Sequence, residues 1–254
     1  LITDKLSWAV AISLTTILLG VLLTAPVRAI QVGYGAWVSN LMQVGIGIVA
    51  VFSANPLTLI VTWAALDILE LVVLFGYIRS SESRRRIVFV FSVRALSIFL
   101  LAWVSVLESS LGIDLSFLSF VPGMGFYLLV FAGVRLGLLA FRSPYLHDMP
   151  QRHGLDICLQ AAPIAASLVL LARIAETGIE GTWAFVLLIG STIFSVIGAV
   201  LWTTSVNDLS GRPFWILGTA SLAFASAVAG QQAACLAWGL ALLLPGSMVF
   251  LASM

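Results

Sequence analysis

Charge is what this sequence most lacks. Only 9% of its 254 residues are Asp, Glu, Lys or Arg, against about 25% in an ordinary soluble domain. Hydrophobic residues make up 61%. A water-soluble fold of this length has no way to hide that much apolar side chain, because domains of this size leave much of their surface wet. Lipid is the solvent that fits. The net charge is +1, with no basic stripe of the kind phosphate recognition needs, so nucleic acid is excluded as a partner. Cysteine is nearly absent too. Cys158 and Cys235 sit in apolar runs without metal-ligand spacing and are expected to be buried free thiols. There is no P-loop, dinucleotide fingerprint, cysteine cluster or nucleophile elbow, so no catalytic residue and no cofactor is assigned. His147 and His153 share a segment with Asp148 and Asp156. Their spacing fits no standard metal site, and a solvated cytoplasmic loop explains them.

What the sequence has is apolar runs, and a spanning helix needs about 20 such residues. The pattern predicts an all-α membrane protein with about nine transmembrane helices in one transmembrane domain covering residues 1–254. The expected spans are 6–25, 37–53, 57–77, 87–107, 121–141, 155–174, 182–204, 214–229 and 233–252. The eighth is short for a full crossing. With nine spans, one side of the membrane collects Arg28, Arg79, Arg84, Arg85, Arg86, Arg142, Arg152 and Arg212. The other side holds Lys5 and Arg173 with Asp4, Glu108, Asp114, Glu176 and Glu180. The positive-inside rule places the first set in the cytoplasm and the N-terminus outside. Trp8, Trp37 and Trp183 lie near span ends, where interface anchoring explains them. The chain begins at Leu1, not Met, and is still apolar at its end, so it is read as part of a longer protein. Its first apolar run is too long for a signal peptide.

Four ionisable residues fall inside spans: Asp67 and Glu70 in the third, Arg94 in the fourth and Arg135 in the fifth. A charge at membrane depth costs on the order of 2.5–3.5 kcal/mol and normally faces a partner or a watery cavity. At 1.5 Å per residue, Glu70, Arg94 and Arg135 all lie roughly 10–14 Å in from one side. Asp67 and Glu70 are three apart and share a helix face. A polar layer through the bundle is therefore expected. Two readings stay open: a structural ion pair that locks helix packing, or an ion-translocation path. Arginine sets a field but does not release protons. Pro163 predicts a kink in the sixth span, and Gly45 and Gly47 predict close helix packing.

Several stretches carry a family pattern in order. Glu70 precedes Tyr77 by seven residues, and Phe91, Arg94 and Ser97 follow in the next helix. Arg135 comes next, then a loop from Ser143 to Pro150 that includes His147. The helix from Cys158 through Gln160 to Arg173 is the strongest stretch, and Arg173 stands 38 residues after Arg135. Asn207, Asp208 and Arg212 form a turn, followed by small residues from Gly218 to Ser221. Over residues 36 to 230 the chain resembles the antiporter-like membrane subunits of respiratory complex I, Mrp-type sodium/proton antiporters and membrane-bound hydrogenases. That family has lysine where Arg135 stands, and histidine or lysine where Gln160 stands.

The resemblance implies inverted five-helix repeats, each with a broken helix and a path near the bilayer midplane. Spans two to six would be the first repeat, and spans seven to nine the start of a second. Gly133 and Gly137, flanking Arg135, would loosen the helix at the first break. Glu70 would be the titrating group, Arg135 its counter-charge and Arg94 a second charge on the path. Gln160 would mark a relay position that no longer titrates. The resemblance also implies other membrane subunits of a hetero-oligomeric assembly as partners, and a bacterial cytoplasmic (inner) membrane location. The alternative is a non-pumping paralogue serving as a scaffold subunit.

Overall fold

The computed structural model describes residues 4–24, 34–77, 81–112, 117, 124–138, 155–176, 179, 181–206 and 208–252. Among these residues the chain forms nine α-helices and no strand. They are α1 (Lys5–Thr24), α2 (Tyr34–Val51), α3 (Pro56–Tyr77), α4 (Ser81–Ser110), α5 (Met124–Gly133), α6 (Leu155–Ile174), α7 (Thr182–Thr203), α8 (Asp208–Val228) and α9 (Gln232–Ala252). A π-helical turn, Val134–Leu138, continues α5. Seven of the helices, all except α5 and α8, are long and apolar enough to cross a membrane. These helices mark a membrane-embedded protein.

The expected spans each meet a helix among the described residues, with some bounds shifted. For the fifth, expected over 121–141, the described residues carry an apolar helix over Gly125–Leu138. The eighth, expected over 214–229, begins earlier, at Asp208. α8 is 21 residues long, but Asp208, Arg212 and its many Ser, Thr and Gly residues keep it off the apolar set. The fourth helix is longer than expected, reaching from Ser81 to Ser110. The other boundaries agree within three residues. Arg28, Arg79, Arg142, Arg152, Asp114, Glu180, the motif from Ser143 to Pro150, His153 and Asn207 lie outside the described residues.

Local chemistry explains several helix ends. Asp4 caps α1, its Oδ1 accepting the Ser7 amide at 2.7 Å. Asn55 caps α3 by accepting the Thr58 amide at 2.8 Å, with Pro56 at the first helical position, where a missing N–H costs nothing. α8 ends at Gly230 (φ 73°). There the Gln231 amide returns to the Ser226 carbonyl and the Gly230 amide to the Ala227 carbonyl, the paired bonds of a Schellman cap.

α6 is the axis of the bundle. Of its apolar span 94% is buried, against 11% for α7 on the periphery. It packs on α1, α2, α3, α5, α8 and α9. Its alanines, Ala161, Ala162, Ala165, Ala166 and Ala172, are all buried, and this stripe of small side chains lets neighbours approach closely. In lipid, where no hydrophobic drive pulls helices together, such close packing supplies much of the association energy. Gly47 of α2 belongs to this packing: a Cβ there would lie 2.9 Å from the Ala162 Cβ. Gly45 does not, since a Cβ there would meet nothing within 4 Å. Pro163 lies inside α6 and has no N–H to give the Leu159 carbonyl one turn back. The buried Gln43 of α2 supplies a donor instead, its Nε2 reaching that carbonyl at 3.5 Å.

Candidate functional site

The four charges expected inside the membrane meet. Asp67 and Glu70 lie one turn apart on α3, which packs against α4, and α4 brings in Arg94. The π turn after α5 brings in Arg135. Arg135 grips Asp67 in a fork, Nη1 to Oδ2 and Nη2 to Oδ1, both at 2.8 Å. Its Nη1 also donates to the Arg94 carbonyl at 3.1 Å. Arg94 Nη1 donates to Glu70 Oε2 and stands 3.8 Å from Asp67 Oδ1. Asp67, Glu70 and Arg135 are each 3% exposed. Two carboxylates and two guanidiniums thus form one buried quartet with no net charge, as the cost of a lone ion in apolar surroundings requires.

One pairing differs from expectation. Arg135 was expected as the counter-charge of Glu70, but it holds Asp67, and Arg94 holds Glu70. Sequence spacing places Glu70, Arg94 and Arg135 at one depth and Asp67 on the face of Glu70, without saying which guanidinium reaches which carboxylate.

The π turn decides where Arg135 points. Gly137 has φ 136° and ψ 14°, a conformation that side chains resist. The helix is broken there, at one of the two glycines expected to loosen it. Under the guanidinium lies the indole of Trp63, 4.3 Å from Cζ to ring centroid, a cation–π contact in a dry setting. Trp63 is fully buried and was missed in the sequence reading. Its spacing, four residues before Asp67 on one helix face, is the signal that points to it. Trp63 Nε1 and Arg135 Nε find no hydrogen-bond partner.

Beside the quartet a narrow cavity runs between α3 and α4, lined by Asp67, Glu70, Leu71, Leu74, Ile87 and Arg94 among others. It has room for about one water. Leu74 and Ile87, which line it on the side nearer Arg84, Arg85 and Arg86, are themselves buried.

Gln160 is not part of this cluster. It lines a second cavity between α6, α8 and α9, together with Arg212, Ile216, Ser247 and Phe250. Its Oε1 is buried without a hydrogen-bond partner. Arg212, expected in a turn between spans, lies within α8 and is buried, its guanidinium 5.3 Å from the Phe250 ring centroid.

Arg173, expected near the end of the sixth span, is the last-turn cation of α6 and is buried. It ties three elements together. Nη1 donates to the Ser53 carbonyl at 2.6 Å, Nη2 to Ser7 Oγ at 3.0 Å and Nε to Asp4 Oδ2 at 3.3 Å. Burial raises the Asp4 pKa, but the Ser7 hydrogen bonds and Arg173 outweigh it and hold the carboxyl below its ordinary value of 3.8. This clamp joins the start of α1, the α2–α3 turn and the end of α6. Cys158 and Cys235 are buried and form no disulfide among the described residues, as expected.

The fold and site define a membrane-embedded helical protein with a charge-balanced polar cluster buried among α3, α4 and the turn after α5. Compared with known proteins, the chain matches no family model, no curated protein and no solved structure.

Proposed function

We propose that this chain is an integral membrane subunit of an ion-translocating assembly, of the kind represented by the antiporter-like subunits of complex I and Mrp antiporters, with Glu70 as its titrating group. The observation that supports this reading is the quartet with a cavity at its side. Glu70 lines that cavity, and Arg94, its partner, is 19% exposed along the side chain. Asp67 lines the same cavity and is held by Arg135 through both oxygens.

The arrangement gives protonation a consequence. With both carboxylates ionised the quartet is neutral. A proton on Glu70 leaves it with one excess positive charge, and Arg94 then has Asp67 Oδ1 as its nearest remaining carboxylate, 3.8 Å away. Arg94 and Arg135 then compete for one carboxylate, and the hold on Arg135 weakens. The arginines shape the field and carry no proton themselves. In this reading spans two to six form the first of two inverted repeats, with the break at Gly137 as its broken helix. The N-terminus lies outside the bacterial inner membrane, and neighbouring membrane subunits complete the path.

The test is proton flux into liposomes containing the reconstituted chain with its partner subunits, wild type against Glu70→Gln. Loss of flux with the assembly intact supports translocation through Glu70, and undiminished flux refutes it. A second reading, a non-pumping scaffold subunit, draws on the closed Asp67–Arg135 fork and on Gln160, which does not titrate. It expects Glu70→Gln to leave flux untouched and Arg135→Ala to release the neighbouring subunits.

A further inference from the structure

Arg135 stands between two glycines, and α8 fills the space both of them leave. A Cβ on Gly133 would lie 2.3 Å from the Phe224 ring, and one on Gly137 would lie 2.6 Å from Ile216 Cγ2. Ile216, Ala220 and Phe224 are spaced four apart, so they form one stripe along α8. That stripe is pressed into the turn from Gly133 to Leu138 on both sides of the arginine. The turn needs such support. A π turn is a strained insertion in a helix, and Gly137 is held at φ 136°, which persists where the surroundings over-determine it.

Ile216 has a second neighbour. It also lines the cavity that holds Gln160 and Arg212, which has room for about one or two waters. Protein interiors are close-packed, so a side chain moves where there is space. For Ile216 that space lies on the side away from Gly137.

We propose that Ile216 and Phe224 are positioning residues for Arg135, and that movement of Ile216 into the Gln160–Arg212 cavity releases the π turn and withdraws Arg135 from Asp67. α8 thereby couples the Gln160–Arg212 cavity to the charge quartet through its contact with the π turn. Filling that cavity fixes the charge pairing in the quartet. The coupling concerns the same site as the proposed ion path, and its value for transport rests on that reading, whereas the coupling itself is read without any transport.

Hydrogen–deuterium exchange of the full chain in lipid nanodiscs tests it. In Ile216→Ala the amides of residues 134–138 are expected to exchange about tenfold faster, local opening being governed by buried apolar contact. Ile216→Val restores the slow rate. Ala161→Val, which fills the cavity from the α6 side, slows exchange in the same segment below wild type. This arm reads the opposite sign and stands even if the alanine variant does not fold. Unchanged exchange at 134–138 in both variants, or acceleration equally shared by α1, would overturn the proposal. Proton flux distinguishes this from the reading of Glu70: exchange that follows the prediction without any flux leaves the coupling standing and removes the translocation role.

Discussion

Arg135 holds Asp67 through both carboxylate oxygens at 2.8 Å, and neither side chain reaches solvent, with exposures of 0% and 2%. Removing one partner leaves the other charged in a dry site. Arg135→Ala is therefore expected to destabilise the chain by about 3–5 kcal/mol. The paired change Asp67→Asn with Arg135→Gln costs less than either single change, because no uncompensated charge remains. Chemical denaturation in detergent micelles, with the three variants side by side, measures the difference.

The two carboxylates are not equivalent. Both line the cavity, but Arg94, the partner of Glu70, is partly exposed, whereas Asp67 is shared by two guanidiniums. Glu70→Gln should lower stability less than Asp67→Asn, by a margin on the order of 1 kcal/mol, since a guanidinium with access to water keeps part of its solvation. Thermal unfolding of both variants at neutral pH gives the order.

Asp4 provides a pH signature. Its carboxyl is held below the ordinary value of 3.8 by Ser7 and Arg173 against the effect of burial. A depressed folded-state pKa means that the stability it contributes is fully present above 3.8 and is lost as pH falls through the lower, folded value. For a pair this exposed the contribution is about 1 kcal/mol or less. The stability gap between wild type and Asp4→Asn should be widest near neutral pH and close in acid. A gap independent of pH would exclude the clamp as its cause.

Two glycines on one helix make a controlled pair. Gly47→Ala puts a methyl 2.9 Å from the Ala162 Cβ and 3.1 Å from Leu14 Cδ2, and overpacking of this kind costs about 1–3 kcal/mol. Gly45→Ala meets nothing within 4 Å and should be neutral or stabilising by up to about 1 kcal/mol, the helix-propensity gain. Gly198→Ala belongs with the first class, because its methyl would lie 2.6 Å from the Gly218 amide nitrogen and force the backbones of α7 and α8 apart. Melting temperatures of the three variants separate the classes.

The sequence by itself determined the solvent, the helices and which charges cluster. These follow from local quantities: apolar run length, capping residues such as Asp4 and Asn55, and residue counts along a helix rising 1.5 Å per residue. Asp67, Glu70, Arg94 and Arg135 were legible as a layer because a charge in lipid demands a partner wherever it lies. Only the tertiary structure decided the pairing, since the choice between Asp67 and Glu70 depends on how α4 and the π turn approach α3. It also decided that Gln160 lies apart from the quartet, that Arg173 and Arg212 are buried, and that of Gly45 and Gly47 only the latter meets a neighbouring helix. Which face of a helix is covered depends on contacts between residues far apart in the chain, such as Arg173 with Asp4 or Gly137 with Ile216. In lipid the outward and inward faces are both apolar, so hydrophobic pattern does not distinguish them as it does in water.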